Sequence, residues 1–300
     1  MKILITGSHG LIGSTLAASL TARGHQVIRM VRPGSESSEH TVEWNPNTGK
    51  VDASALEQTD AVVHLAGENI AAGRWTAERK NRIRESRVQG TRLLSEALAG
   101  LAHPPRVLVS ASAIGYYGSR GEEALTEASA PGTGFLPELC IAWEAATEPA
   151  RRKGIRVVNL RYGMVLSAKG GALAKMLPVF KMGAGGKIGS GRQFISWIAL
   201  DDVIGAIQHV ISTQSMSGPV NVVAPNPVRN AEFTEALGKA LGRPTVFTVP
   251  QFVARLAFGE MADAALLSST RVQPNRLLAN GFTFLYPEIN GVLRAILGKN

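Results

Sequence analysis

The chain has 300 residues, of which 45% are hydrophobic and 18% charged, a composition typical of a folded globular protein rather than a disordered or fibrous one. Its net charge of +9 allows an anionic small molecule or a nucleic acid as partner, and its single cysteine, Cys140, excludes an intramolecular disulfide. No stretch approaches the roughly 20 apolar residues of a membrane-spanning helix, and the short apolar run at the start does not resemble a signal peptide. We therefore expect a soluble, cytoplasmic protein with no membrane partner.

The first half of the chain alternates short apolar segments with helical patterns, which is typical of a parallel sheet wrapped by helices. We predict strands at Lys2–Thr6, Gln26–Val31, Thr41–Trp44, Ala61–Ala66, Arg106–Ser110 and Ile155–Leu160. Between them, helical patterns cover Leu11–Ala22, Thr76–Ala99 and Glu138–Lys153.

The pattern changes in the second half of the chain. Glycines crowd the stretch Gly170–Gly191, which predicts a loop around a short helix. Two further strands are predicted at Ile195–Leu200 and Val220–Val223, with a helix over Asp201–Ser212 between them. Beyond this point helical patterns are interrupted by prolines.

These elements predict an α/β fold, a doubly wound parallel sheet with a smaller C-terminal lobe. The first domain is expected to cover residues 1–168 and to be completed by strands near 195–224. The remaining chain, residues 169–300, is expected to form a smaller substrate or lid region.

The loop between the first strand and the first helix carries three glycines, Gly7, Gly10 and Gly13. In a dinucleotide-binding loop the first glycine permits the tight turn, the second lets the diphosphate approach the backbone, and the third lets helix pack on strand. The helix start, at Leu11 and Ile12, offers free N–H groups to an anion. The alternative is a tight turn without a ligand. No Gly-Lys-Ser/Thr sequence follows, which excludes a phosphate-binding loop of the NTPase type.

The end of the second strand indicates which dinucleotide is bound. NAD enzymes place a carboxylate there for the ribose hydroxyls of the adenosine, whereas this chain has Val31 followed by Arg32. A guanidinium can pair with a 2′-phosphate through two parallel hydrogen bonds. The sequence therefore favours NADP(H) over NAD. The alternative is that Arg32 is an ordinary solvated charge at a strand end.

Together with later motifs, these features resemble the extended short-chain dehydrogenase/reductase superfamily. Within it the chain is most similar to an atypical group known as epimerase family proteins, which carry a C-terminal domain of unknown function. The resemblance covers essentially the whole chain. The matching segments are Leu65–Ile70, Arg74-Trp75, Ser86-Arg87, Gly115–Gly118, Trp143-Glu144, Ile188–Gly191, Ser196–Ile198, Asn221–Pro225, Leu241–Pro244 and Arg271–Pro274.

The resemblance implies a Rossmann-type domain that binds NADP(H) at the glycine loop. It also implies cofactor contacts at Leu65, Ala66 and Gly67 after the fourth strand, at Arg87 in a basic helix, and at Val165 after the sixth strand. One arginine of that helix would then reach the cofactor while its neighbours remain in water. Nucleic acid is not favoured as a partner, because no basic tail, zinc finger or aromatic RNA-binding signature accompanies the charge.

The chain departs from the superfamily in its catalytic residues. Typical members pair a tyrosine with a lysine four residues later, which helps the phenol to exchange a proton. No such pair exists in this sequence, and the expected positions hold Leu136 and Cys140. The remaining candidates for a proton donor are Ser112, Tyr116 and Tyr117, near the end of the fifth strand.

Two functions remain open on these grounds. The first is an NADP(H)-dependent oxidoreductase or epimerase-like enzyme that acts on an unidentified small-molecule substrate. The second is a catalytically silent NADP(H)-binding sensor or regulatory protein, which the missing tyrosine–lysine pair favours. His64 and Cys140 are expected to be buried and inert. No histidine lies at metal-ligand spacing with carboxylates, so no metal is expected.

Overall fold

The structure, a computed structural model, describes residues 1–34, 40–46 and 48–298. Its strands are, in chain order, β1 (Lys2–Thr6), β2 (Gln26–Val31), β3 (Thr41–Asn45), β4 (Lys50–Val51), β5 (Ala61–His64), β6 (Val107–Ala113), β7 (Ala124–Leu125), β8 (Arg156–Tyr162), β9 (Met164–Leu166), β10 (Gly186–Ile188), β11 (Phe194–Ile195), β12 (Trp197–Ala199), β13 (Gly218–Val222), β14 (Val228–Arg229), β15 (Phe247–Val249) and β16 (Arg271–Val272). Its α-helices are α1 (Leu11–Ala22), α2 (Ala77–Ala99), α3 (Phe135–Ala145), α4 (Glu148–Arg152), α5 (Gly171–Lys181), α6 (Leu200–Ser212), α7 (Asn230–Leu241), α8 (Gln251–Phe258), α9 (Asn275–Ala279) and α10 (Ile289–Leu297).

Eight strands form the central sheet, in the order β13-β8-β6-β5-β1-β2-β3-β4. Neighbouring strands run parallel except for the edge pair β3 and β4, which is antiparallel. Helices α1 and α6 cover one face of the sheet, while α2 and α4 cover the other. The expected doubly wound Rossmann-type sheet is confirmed.

The strands near the middle of the sheet are buried on both faces, which explains why they read as continuous apolar runs. In β5 every residue is buried, and in β6 six successive residues are. Strand β13 lies beside β8, so the sheet takes a strand from well beyond residue 168.

The helix predicted over Glu138–Lys153 is two helices, α3 and α4. Pro149 at the start of α4 has no N–H to donate to the preceding turn, so the first helix cannot continue through it. The hydroxyl of Thr147 donates to the carbonyl of Glu144 at 2.6 Å and satisfies one of the carbonyls freed by the break.

The strand predicted over Ile195–Leu200 is interrupted at Ser196. Its hydroxyl donates to the carbonyl of Thr270 at 2.7 Å and accepts from the N–H of Val272 at 2.8 Å. The two halves, β11 and β12, pair with β14 and β9 instead of extending the central sheet. A side chain that fastens the C-terminal segment thus divides the strand.

The C-terminal lobe has its own apolar core, formed mainly by α5, α7 and α10. The glycine-rich stretch Gly170–Gly191 contains the helix α5, as predicted, and also the short strand β10, where a loop was expected. Among the described residues, no helix is both long and apolar enough to cross a lipid bilayer.

Candidate functional site

Two close contacts that exclude side chains shape the glycine loop, one with the end of β5 and one within the loop itself. Gly7 has a φ of +66°, and a Cβ there would lie 2.8 Å from the carbonyl carbon of Leu65. A Cβ on Gly13 would lie 2.3 Å from the carbonyl oxygen of Gly7. Gly10 differs, because a Cβ there would approach only that same oxygen, at 3.3 Å, and would otherwise face open space. Gly7 and Gly13 therefore shape the loop, and Gly10 leaves a free surface above it.

This free surface has the donor chemistry of an anion site. Helix α1 begins at Leu11, directly after Gly10, so the N–H groups of its first turn point out of the helix. The hydroxyl of Ser8, inside the loop, is buried and has no hydrogen-bond partner among the described residues. The loop residues therefore fit the diphosphate of a dinucleotide.

Half-buried apolar side chains line the adjoining wall. Leu11, Ile12, Leu65 and Val165 all pack against the same core face of the sheet. A Cβ on Gly171, at the start of α5, would lie 3.5 Å from the carbonyl oxygen of Val165 and 3.7 Å from Cδ2 of Leu11. The fold thus brings together the glycine loop, the end of β5 and the segment after β8, which the sequence places far apart.

Arg87 lies at the edge of this site on the side of α2, and we call this edge, which continues to Val31 and Arg32, the rim. A Cβ on Gly67 would lie 3.4 Å from the guanidinium carbon of Arg87. Nη1 of Arg87 donates to the carbonyl of Glu68 at 2.9 Å. The guanidinium lies 5.0 Å from the ring centroid of Trp143 and forms no salt bridge among the described residues. Burial lowers the pKa of Arg87 to about 10, so it remains a cation at neutral pH.

Val31 and Arg32 lie at the outer end of the rim. Val31 is buried at the end of β2, where Thr6 pairs with Met30 in register, so the glycine loop and this strand end are neighbours. Arg32 follows directly and is exposed. Ala66, the remaining predicted contact, directly follows Leu65 and is half-buried.

Ser112 lies in a buried ionic network. Its hydroxyl donates to Oε1 of Glu144 at 2.7 Å, and Arg161 donates to both oxygens of the same carboxylate, at 2.7 and 2.8 Å. Burial alone would lower the pKa of Arg161, but the hydrogen bonds and charge of Glu144 outweigh it and hold the pKa above its usual range. Ser112 as a whole is only 2% exposed, and its hydroxyl is engaged with this carboxylate.

The two neighbouring tyrosines occupy different environments. Tyr117 is fully buried; its hydroxyl donates to Asn221 at 2.7 Å and accepts from Nη1 of Arg161 at 3.0 Å. Burial raises the pKa of Tyr117, and the nearby Arg161 offsets part of that rise. Tyr116 is half-buried, and its ring centroid lies 3.5 Å from the guanidinium carbon of Arg161.

Helix α3 carries Leu136 and Cys140 one turn apart on the face that leads to Glu144. A Cβ on Gly115 would lie 3.3 Å from Cβ of Leu136, so this apolar side chain packs beside the tyrosine loop. Burial, and then the charge of Glu144, raise the pKa of the Cys140 thiol to about 12. The thiol is therefore neutral and buried, as expected.

His64 is likewise buried and fully hydrogen-bonded. Thr6 Oγ1 accepts from the N–H of Leu65, so it can give its own hydrogen to Nδ1 of His64, 2.7 Å away. Nε2 of His64 then donates to Thr91 Oγ1 at 3.0 Å, which also accepts from the indole of Trp143. Burial lowers the pKa of His64 to about 4, so the ring is neutral and structural.

The sequence motifs do not reveal that Glu144, Arg161 and Asn221 belong to one network. A signal was available, because Ser112, Arg161 and Asn221 are register partners across the adjacent strands β6, β8 and β13. Glu144 lies one helical turn after Cys140. Among the described residues, no group of three or more histidine, cysteine or carboxylate side chains is placed to hold a metal.

The glycine loop lies at the end of β1, and apolar side chains at the ends of the neighbouring strands line the wall beside it. This arrangement defines a dinucleotide-binding protein of the Rossmann type. Residues 3–223 match the sequence model of the "NAD dependent epimerase/dehydratase family", and residues 249–296 match a domain of unknown function, DUF1731. The chain belongs to the NAD dependent epimerase/dehydratase family, and the resemblance deduced from the motifs is confirmed.

Among its relatives, epimerase family protein Mb2239 of Mycobacterium bovis is 47% identical over 97% of this chain and 96% of that protein. The crystal structure of human epimerase family protein SDR39U1 with NADPH superimposes with a TM-score of 0.91, at 33% identity over 99% of both chains. UDP-glucose 4-epimerase of Thermotoga maritima, with UDP-glucose, matches with a TM-score of 0.77 at 17% identity, which shows a common fold only.

Proposed function

We propose that the protein is an NADPH-dependent oxidoreductase that acts on a small carbonyl or alcohol substrate. The observation that carries the proposal is the glycine loop, which is open above the backbone at Gly10 and is followed directly by the N-terminus of α1. The human relative SDR39U1, crystallised with NADPH, supports the choice of cofactor. When bound, the nicotinamide supplies the hydride chemistry, so the protein must bind, orient and provide a proton.

The chain offers a separate group for each part of the cofactor. The N–H groups of the first turn of α1 bind the diphosphate. The apolar side chains of Leu65 and Val165 line the wall beside the loop and keep water from it. Arg87 and Arg32 add positive charge at the two ends of the rim, and Arg32 is assigned to the 2′-phosphate.

Tyr116 is the proton donor that the geometry supports best. The Ser112 hydroxyl donates a hydrogen bond to Glu144 and the Tyr117 hydroxyl donates one to Asn221, so both hydroxyls are engaged in the interior. Tyr116 is half-buried at the carboxyl end of β6, the edge at which ligands of such sheets bind. Its ring rests on Arg161, which fixes its position.

A second candidate is a catalytically silent NADPH-binding protein. The observation that favours it lies on α3, where Leu136 and Cys140 stand in place of the tyrosine and lysine of typical relatives. Leu136 has no proton to give, and the buried thiol of Cys140 holds its proton too tightly to replace either group.

Transfer of deuterium from NADPH labelled at C4 separates the two functions. We expect label in the product of at least one member of an aldehyde and ketone panel, detected by mass spectrometry. Tyr116→Phe should slow that transfer by ~10²–10⁴-fold, because a positioned proton donor contributes that much. The matched control, Tyr286→Phe, removes a hydroxyl from the C-terminal lobe and should leave the rate unchanged.

Each negative result has its own meaning. Binding of NADPH without transfer to any acceptor would establish the silent protein. Absence of NADPH binding would contradict both functions. Equal slowing of hydride transfer by Tyr116→Phe and Tyr286→Phe would exclude Tyr116 as the proton donor. It would not contradict the proposed oxidoreductase function.

A further inference from the structure

An apolar cluster joins distant parts of the chain beside the carboxyl ends of β5 and β6. Its buried centre consists of Trp75, Ile83, Leu139 and Met261. Met261 comes from the chain after α8, whereas the other three belong to the segment after β5 and to helices α2 and α3. The ring of Phe135, at the start of α3, packs edge-on against that of Trp75, with centroids 5.1 Å apart. The cluster therefore connects the Rossmann-type domain to the C-terminal region.

Three side chains of this cluster are only partly covered. Ile70, Phe135 and Leu136 pack against the buried centre, and each is half-buried, so part of its surface remains accessible. Leu136 lies beside the loop that carries Tyr116, because a Cβ on Gly115 would lie 3.3 Å from Cβ of Leu136. We call Ile70, Phe135 and Leu136 the apolar patch.

The apolar patch lies at the edge of the sheet at which ligands of such folds bind. Leu65 directly follows β5 at this edge, and the chain reaches Ile70 five residues later. Gly115 comes two residues after the end of β6 at the same edge, with Leu136 packed beside it. A substrate that reaches both a nicotinamide beside Leu65 and the hydroxyl of Tyr116 is therefore placed next to the patch.

Polar groups that adjoin the patch are engaged with the protein itself. The indole of Trp75 donates to the carbonyl of Ile70 at 2.8 Å. Nζ of Lys80 lies 5.3 Å from the ring centroid of Phe135 and pairs with the carboxylate of Glu260 at 2.6 Å. The two buried hydroxyls near the end of β6 donate into the interior. The patch therefore presents mainly carbon atoms to a ligand.

We propose that the substrate carries an alkyl or aryl group next to its carbonyl, and that this group binds against the apolar patch. Each methylene that leaves water for such a surface favours binding, whereas a hydroxyl placed there would lose its hydrogen bonds to water. A carbonyl compound that carries hydroxyls on both neighbouring carbons is therefore a poor substrate. This inference rests on the proposed function, because it names the substrate class of the same site.

Reduction of a series of methyl ketones by NADPH tests the substrate class. From acetone to methyl pentyl ketone the chain grows by one methylene at a time. We expect kcat/KM to rise by up to about fourfold with each methylene that the patch covers. A kcat/KM that stays constant or falls along the whole series would overturn the proposal.

A second comparison uses two ketones of the same size. Diethyl ketone and dihydroxyacetone differ only in that hydroxyls replace the two methyl groups, and we expect diethyl ketone to be preferred. Leu136→Asn should reduce the ratio of the two kcat/KM values by about tenfold, because it places an amide in the patch. Comparing this ratio between proteins cancels the different reactivities of the ketones.

The matched control is Ile141→Asn. Ile141 lies on the same helix, is 43% exposed and is not part of the cluster, so this variant should keep the parental ratio. Leu136→Ala, which shortens the side chain without adding a polar group, should flatten the dependence on chain length if Leu136→Asn folds poorly. Equal ratios in Leu136→Asn, Ile141→Asn and the parent would overturn the assignment to the patch.

Ligand binding to the NADP⁺ complex separates this inference from the proposed function, since the oxidised cofactor cannot reduce a ketone. Saturation-transfer NMR, which detects weak ligands, compares diethyl ketone with dihydroxyacetone. Tighter binding of diethyl ketone without any reduction by NADPH would support the patch and contradict the oxidoreductase. Reduction of dihydroxyacetone in preference to diethyl ketone would do the reverse. Absence of both binding and reduction would contradict both.

Discussion

Arg161 holds the carboxylate of Glu144 through two parallel hydrogen bonds, from Nε to Oε1 at 2.7 Å and from Nη2 to Oε2 at 2.8 Å. The Arg161 side chain is 3% exposed and the Glu144 side chain 13%, so water stabilises neither charge well and each charge is stabilised by the other. Ser112 and Tyr117 bond to the same two groups. The pair therefore fixes the ends of β6 and β8 against α3, beneath the ring of Tyr116.

Breaking this pair should be costly. We expect Glu144→Gln to lower the free energy of unfolding by ~3–5 kcal/mol, because it leaves the Arg161 cation buried without a counter-charge. Urea denaturation followed by circular dichroism measures the loss. The control is Glu148→Gln, since Glu148 pairs with two exposed arginines on α4 and should change stability by less than about 0.5 kcal/mol. Similar losses in the two variants would show that the buried pair is not structurally important.

The sequence predicted the sheet and the glycine loop, because both depend on local patterns. Strand β1, the turn at Gly7 and helix α1 are contiguous in the chain, and their apolar periodicity is visible in a short window. The network around Arg161 depends instead on the register of three strands. This register cannot be predicted from a local pattern, because the strands are far apart in the sequence. The helical pattern of Glu138–Lys153 does not show the break between α3 and α4, because Pro149 is tolerated in the first turn of a helix but ends one that reaches it from before.

The glycines of the loop should separate folding from cofactor binding. Gly10→Val should fold like the parent and lose NADPH binding, because its side chain fills the space above the loop. Gly13→Ala should instead destabilise the protein, since its Cβ would lie 2.3 Å from the carbonyl oxygen of Gly7. Thermal unfolding and NADPH titration measure the two properties. NADPH binding by Gly10→Val at parental affinity would place the diphosphate elsewhere.

His64 should make stability depend on pH in the acidic range. Burial lowers its pKa from 6.5 to about 4 in the folded protein, so the unfolded chain binds a proton more readily. Its contribution to stability is therefore complete above pH 6.5 and is lost as the pH falls toward 4, by roughly 2–3 kcal/mol. Urea denaturation at several pH values should show a flatter profile for His64→Gln than for the parent. His103→Gln, at an exposed site, should keep the parental slope.

Cofactor preference should depend on Arg32. No carboxylate stands at Val31 to claim the free ribose hydroxyls of NADH or to repel a 2′-phosphate, and Arg32 follows with two parallel N–H donors. Charge-assisted hydrogen bonds of this kind contribute ~1.5–3 kcal/mol, which is ~10–150-fold in affinity. Screening by salt at this exposed end of the rim should keep the effect near the lower value.

We therefore expect NADPH to bind at least about tenfold more tightly than NADH. Arg32→Ala should remove most of that difference and leave NADH binding almost unchanged, because the lost charge faces only the 2′-phosphate. Calorimetry of both cofactors against both proteins measures the four affinities. A parent that prefers NADH, or a variant that keeps its full preference for NADPH, would show that other groups read the phosphate. Arg87, a half-buried cation without a salt-bridge partner among the described residues, is then the next position to substitute.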